Sequence, residues 1–205
     1  MFKLTNKIDN SSKIINTIIG ERNLSEKVAV DVVNSLNASS QPKVGVLNIM
    51  HKIGVDPVSG GNIRKTSDVF FKDKNEKFDL IFIDGLHIYN QVKKDILNSI
   101  KFLNDNGLIL VHDCMPDNLG KQAVPRYKMQ WNGDVWKAIV DLRQNENLEI
   151  FTCEMDQGIG IIQNKKNTSI LKCTKPINEL KFKDYYENYK EYLRVISLEE
   201  LKKIF

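Results

Sequence analysis

FDLIFIDGLHIYNQVKKDILNSIKFLNDNGLILVHDCMP, residues 78–116, decides how this chain reads. Asp79-Leu80-Ile81-Phe82-Ile83 is a short apolar run closed by Asp84-Gly85, the pattern of a strand buried on both faces of a parallel sheet. Ile88, Val92, Ile96, Ile100 and Leu103 then recur at helical spacing, with Lys93, Lys94 and Lys101 off that stripe. Asn104-Asp105-Asn106-Gly107 has the chemistry of a turn, and Gly107 is placed to end the helix. Leu108-Ile109-Leu110-Val111 reads as a second buried strand, followed by His112-Asp113. Each strand thus delivers an acid and a histidine to one sheet edge, Asp84 with His87 and Asp113 with His112. Ligands of open α/β sheets bind at that carboxyl edge.

Outward from this stretch the alternation continues. Upstream, Lys27–Val33 reads as the first core strand, Val44–Met50 as strand or helix, and Ile53–Pro57 as a short strand ending in Asp56. A helix with Ile14, Ile15, Ile18 and Ile19 on one face is expected before them, and Thr66-Ser67-Asp68 caps another. Downstream, residues 117–132 are polar and long for a connection, so they are functional or hide a further element. A helix over 135–144 and two strands, 148–153 and 158–163, follow, the strands forming an antiparallel pair. The fold class expected is α/β: a Rossmann-like doubly wound sheet, mostly parallel with a terminal antiparallel β-hairpin, and helices on both faces. Residues 1–163 form this domain, and 164–205 form a mostly helical extension packing on it, with Tyr185, Tyr186, Tyr189 and Tyr192 as a packing or dimerisation stripe.

Composition narrows the function. Thirty Lys and Arg against 26 Asp and Glu in 205 residues leave a net charge of +4, scattered along the chain, so a nucleic-acid footprint is not expected. Cys114, Cys153 and Cys173 show no paired metal spacing, which points to a reducing, cytoplasmic setting without disulfides. No apolar run reaches the ~20 residues of a membrane span. A nicotinamide-dependent oxidoreductase needs a G-x-G-x-x-G turn after the first strand, and there is none.

Taken in order, an acid on the first strand, Gly-Val-Asp-Pro at 54–57, Thr-Ser-Asp at 66–68, Asp-Gly-Leu-His at 84–87, His-Asp-Cys at 112–114 and Gly-Asp-Val-Trp-Lys at 133–137 resemble the class I S-adenosyl-L-methionine-dependent methyltransferases. Among them the chain is most similar to metal-dependent O-methyltransferases of sugars and surface glycans, over roughly residues 14–163. The resemblance implies S-adenosylmethionine and Mg2+ or Mn2+ as cofactors, a sugar or glycan as acceptor, and a glycosyltransferase as neighbour or fused partner. It implies that Asp56 receives the ribose hydroxyls, that Ser67 and Asp68 lie near the adenine, and that Asp84 lies beside the methionine moiety, with Asp31 and Asn34 on the first cofactor loop. Asp84, Asp113 and His112 would hold the metal, and His87 would be the general base, with Asp84 at its side. Substrate contacts are expected from Arg126, Trp131, Asp134 and Lys137, which mix aromatic faces with hydrogen-bonding groups.

Two departures stand against that pattern. The first loop of the family is glycine-rich, yet here Val33 and Asn37 occupy the glycine positions, where close backbone approach is hardest. The same loop therefore admits a non-catalytic module that kept the fold and serves a glycosyltransferase. Where the metal-dependent enzymes commonly carry Glu-Asp, this chain has His112-Asp113, and a directly ligating imidazole favours Mn2+ or another transition metal over Mg2+.

Overall fold

The computed structural model describes residues 16, 18, 28–32, 51–58, 61–127 and 129–205, with backbone alone at 28–32 and 52. Asn34 and the rest of the glycine-poor loop lie outside the described residues, as do the segment 44–50 and most of the expected first helix. Of that helix, Asn16 and Ile18 are helical, and Ile18 is fully buried.

Among the described residues seven strands form one sheet: β1 (Val28–Val32), β2 (His51–Val55), β3 (Phe78–Ile83), β4 (Leu103–Val111), β5 (Glu149–Cys153), β6 (Ile159–Gln163) and β7 (Val195–Ile196). Their order is β2-β1-β3-β4-β6-β5-β7, with β1, β2, β3 and β4 parallel and β6 antiparallel to both β4 and β5. The chain moves outward from β1 in both directions, so β1 and β3 flank a topological switch point, where open α/β sheets form their ligand crevice. The expected α/β class and the antiparallel pair are both present.

Both sheet faces are covered, as the continuous apolar strands require. Ile81, Ile83, Ile109 and Val111 face one core with α1 (Ser67–Lys72), α2 (Tyr89–Lys101), α4 (Val135–Leu142) and α5 (Phe182–Leu193). Leu80, Phe82, Leu108 and Leu110, one residue out of phase, face a second core with Ile18 and with Leu201 of α6 (Leu198–Ile204). The polar 117–132 stretch contains the one-turn helix α3 (Leu119–Gln122).

One expectation is corrected. Leu103-Asn104-Asp105-Asn106-Gly107 belongs to β4 and is no helix terminus; α2 ends at Lys101. Leu103 is buried and pairs with Phe78, and the register resumes at Leu80 with Leu108, so the intervening residues bulge from the strand. Asn104 Nδ2 donates to Asp79 Oδ1 at 2.8 Å across this bulge. Pairing with β3 overrides the local turn preference of Asn-Asp-Asn-Gly.

The segment beyond Gln163 shares this core. Leu171, Leu180, Tyr185 and Leu193 are buried in it, while Tyr186 is exposed and off the stripe. Arg143, just past α4, donates to the carbonyls of Glu191, Tyr192 and Ser169, placing a guanidinium at the negative end of α5. Burial lowers its pKa to about 10. β7 then pairs with β5 as the edge strand.

Candidate functional site

The carboxyl ends of β3 and β4 hold a compact set of acids and imidazoles. Asp84 follows β3, and His87 lies three residues on, in the loop before α2. His112 follows β4, its N–H donating to the Ile83 carbonyl at 2.9 Å, which ties the two strand ends together. Asp113 comes next in the left-handed region, with φ 61°, a conformation that Asp tolerates better than most residues but that still costs free energy. His87 Nε2 is 3.4 Å from both Asp84 Oδ1 and Asp113 Oδ2. His112 Nδ1 is 3.2 Å from Asp84 Oδ1 and 3.1 Å from Asp113 Oδ2. Donor atoms of Asp84, His87 and Asp113 all lie within 4.8 Å of one another, a spacing that one cation can bridge.

The sequence Trp131-Asn132-Gly133-Asp134 builds the cradle around His87. The Trp131 carbonyl accepts from His87 Nδ1 at 2.7 Å, and the two rings lie 5.3 Å apart. Asn132 is fully buried and donates through Nδ2 to Asp113 Oδ1 at 2.9 Å. Gly133, at φ 60°, passes so close to His87 that a Cβ there would lie 1.7 Å from the His87 carbonyl oxygen, so glycine is required. Asp134 N–H donates to that carbonyl at 3.3 Å, and Asp134 Oδ1 accepts from the Tyr89 N–H at 2.6 Å. The loop itself hangs on α3, where the Lys121 carbonyl accepts from the Asn132 and Gly133 N–H groups.

The contact with Trp131 fixes the tautomer of His87. A carbonyl oxygen only accepts, so His87 Nδ1 carries the proton, and its neutral ring turns the Nε2 lone pair to the carboxylates. His112 has a carboxylate at each nitrogen, with Asp156 Oδ2 3.1 Å from Nε2 and Asp113 Oδ2 3.1 Å from Nδ1, so Nε2–H donates to Asp156 while Nδ1 meets the other carboxylates through a proton or, with a cation among them, as a lone pair. A nitrogen of each imidazole and two carboxylates thus converge on one volume. Something positive, protons or a cation, must offset them. With protons, burial pulls the His87 pKa down, but the Asp84 hydrogen bond and the charges of Asp113 and Asp84 outweigh it and raise the pKa. Burial likewise pushes Asp113 up, and the neighbouring His112 and His87 overcome it and hold Asp113 low.

The other residues singled out in the sequence are distributed as follows. Arg126 lies with its guanidinium carbon 5.9 Å from the Trp131 ring, which is itself tilted 33° against the His87 ring, and donates to the Met129 carbonyl. Asp134 is engaged with the start of α2, and the Lys137 ammonium lies 5.6 Å over the buried Trp136 ring. Asp56 is buried after β2, where Oδ1 accepts from the Val58 N–H at 2.6 Å. Ser67 and Asp68 both engage α2: Gln91 Nε2 is 3.4 Å from Ser67 Oγ, and Lys94 Nζ is 2.6 Å from Asp68 Oδ2. Asp31 pairs in register with Gly54 and Phe82 on the central strand β1. Asp156 and Asn132 were not among the residues read as functional. The signal for Asp156 is topological: the turn leaving β5 lies on the edge where the parallel strands end.

A family model described as a methyltransferase domain matches residues 28–114, under half of the chain. No curated protein matches the sequence. Among solved structures, the Podospora anserina methyltransferase PaMTH1, bound to SAH, is 16% identical with a TM-score of 0.52, covering 73% of this chain and 76% of that one. A Corynebacterium glutamicum protein is 13% identical with a TM-score of 0.49, over 80% and 83% of the two chains. MycE, from the mycinamycin pathway and solved with Mg, SAH and mycinamycin VI, is 13% identical with a TM-score of 0.45; the match covers 73% of this chain and 48% of MycE, so this chain spans about half its length. The architecture is thus the Rossmann-like methyltransferase fold. Among the described residues no helix is long and apolar enough to cross a membrane.

Proposed function

We propose that the protein is an S-adenosylmethionine-dependent O-methyltransferase whose acceptor is a hydroxyl of a sugar or glycan, assisted by Mg2+ or Mn2+. The observation that carries this reading is the convergence of two imidazole nitrogens and two carboxylates at the carboxyl ends of β3 and β4. That donor set fits a divalent cation: oxygen and nitrogen donors, mutual repulsion without a positive charge, and imidazoles anchored from behind. Asp84, Asp113 and His112 are the ligands in this reading. When bound, the cation supplies positive charge that lowers the pKa of a neighbouring hydroxyl.

His87 is assigned the base because it is the more open of the two imidazoles, its side chain 15% exposed against 7% for His112. Its Nδ1–H is held by the Trp131 carbonyl, so Nε2 takes the hydroxyl proton. The hydroxyl oxygen then bonds to the methyl carbon as the methyl–sulfur bond breaks. Asp84 and Asp113, flanking Nε2, stabilise the imidazolium that results. Asp56 and Asp84 bracket the crevice beside β1, where the ribose and methionine moieties belong. Arg126 and Trp131 offer a charged and an aromatic face to the acceptor.

Calorimetric titration with S-adenosylmethionine, with and without Mn2+, tests the cofactor; micromolar binding is expected. Absence of binding under every metal condition favours a non-catalytic module instead. His87→Ala should keep that binding and lower methyl transfer to free and glycan-linked deoxyhexoses by roughly 10²–10⁴-fold. Full turnover in this variant removes His87 as base, and a parallel loss of Mn2+ affinity makes it a ligand.

A further inference from the structure

We propose that Asp156 is a positioning residue that holds His112 with Nδ1 turned to Asp84 and Asp113 as a nitrogen donor, so that the centre takes Mn2+ in preference to Mg2+. The choice of ion rests on the metal reading above; the orientation of His112 does not. The Asp156 carboxylate, acceptor-only when ionised, faces His112 Nε2 at 3.1 Å, with side-chain exposures of 2% and 7%. Water therefore competes little for either group, and the Nε2–H is committed to Asp156. With Nε2 turned to Asp156, Nδ1 is the nitrogen that faces the two carboxylates at 3.1–3.2 Å, and it presents a lone pair there once a cation takes the place of its proton.

The backbone is shaped to bring Asp156 there. Asp156 and Gln157 are both left-handed, with φ 46° and 66°, and Gly158 follows at φ 87°. Two hydrogen bonds clamp this turn against the strand end that carries the site, from Cys114 N–H to the Gly158 carbonyl at 3.1 Å and from Met115 N–H to the Gln157 carbonyl at 2.6 Å. A Cβ at Gly158 would lie 2.5 Å from Met115 Cγ, so the approach is as close as the chain allows. An unfavourable backbone is thus maintained at the one turn whose carboxylate backs an imidazole of the cluster. A carboxylate behind a ligating histidine fixes its tautomer and raises its basicity. Mg2+ favours all-oxygen shells and dehydrates reluctantly, whereas a nitrogen donor favours first-row transition ions, of which Mn2+ is the one that also accepts a carboxylate-rich shell.

The test combines metal titration with imidazole ¹⁵N spectroscopy. The wild-type protein should bind Mn2+ more tightly than Mg2+ by roughly tenfold or more. Asp156→Asn should lose about 10–100-fold in Mn2+ affinity and less in Mg2+ affinity, so the preference shrinks. Unchanged affinities, or equal losses for both ions, overturn the proposal, because a merely structural residue moves both alike. In the Mg2+-loaded wild type, the ¹⁵N spectrum should show His112 protonated at Nε2 and not at Nδ1, assigned by His112→Gln among the three histidines. A proton on Nδ1 overturns the role of Asp156 without recourse to any variant that fails to fold. Failure of the wild type to bind either ion instead overturns the metal reading and the ion preference with it.

Discussion

Asp113 lies beyond β4 among His112, His87 and Asn132, while Asp95 lies midway along α2 beside Gln91 and Ser67. Both are buried, Asp113 at 5% exposure and Asp95 at 0%. Burial, the largest influence on each, pushes both carboxyls up, yet Asp113 ends low and Asp95 rises to about 6. The difference is in what surrounds them. Two imidazoles converge on Asp113, whereas Asp95 has Gln91 Nε2 at 2.9 Å and neutral donors, and its Oδ2 has no hydrogen-bond partner among the described residues. Ser99 Oγ, one turn further along the same helix face, is likewise without one. A buried acid by itself is a cost borne by packing; a buried acid with convergent cationic partners is an arrangement that can do chemistry.

The sharpest way to break this contrast is a pair of isosteric changes. Asp113→Asn should lower methyl transfer by well over roughly 100-fold, more than the loss of an outer-shell partner, and should weaken metal binding with it. Asp95→Asn should leave turnover and Mn2+ affinity unchanged. If the two variants behave alike, in either direction, position at the strand ends carries no special role.

A smaller effect of opposite sign separates the two acids by pH. Because the pKa of Asp95 is raised on folding, the native state holds its proton where the unfolded chain has lost it, and stability falls as pH rises from about 4 to about 6. An elevation of about two units corresponds to about 3 kcal/mol. Asp113, held low, contributes stability that is present above its unfolded pKa and lost as pH falls through its folded one. Denaturant unfolding of Asp95→Asn across pH 4–7 should therefore lack a decline of about 3 kcal/mol that the wild type shows. Identical pH profiles would mean that Asp95 is solvated in the folded protein.

What the sequence made legible follows from range. β3, β4 and α2 could be read because burial on both faces writes a continuous apolar run and a 3.6-residue stripe locally, and Asp84, His87, His112 and Asp113 stand at the ends of those runs. The bulge at Asn104–Gly107 was read as a turn because its residues are turn formers; the pairing of Phe78 with Leu103 that overrides them lies 25 positions apart in the chain. Asp156 was silent because an acid in a hairpin turn has meaning only once β5 is known to run parallel to β4. The tautomer of His87 depends on a carbonyl 44 residues away, and backbone carbonyls carry no sequence signature.

Asp134 shows the same limit at the smallest energy. In sequence it reads as a substrate contact, but its carboxylate accepts from the first N–H of α2, whose own N-cap residue, Ile88, has no side chain able to do so. The acid thus caps a helix from 45 residues away and adds negative charge at the positive end of the dipole. Asp134→Ala should cost about 1 kcal/mol of stability in denaturant unfolding. Because the lost carboxylate ties the segment whose Asp134 N–H donates to the His87 carbonyl to the start of α2, the change should also loosen His87 and lower turnover modestly while leaving the acceptor KM unchanged. A raised KM with normal stability would return Asp134 to the substrate, and the cradle around His87 would then rest on Trp131, Asn132 and Gly133 alone.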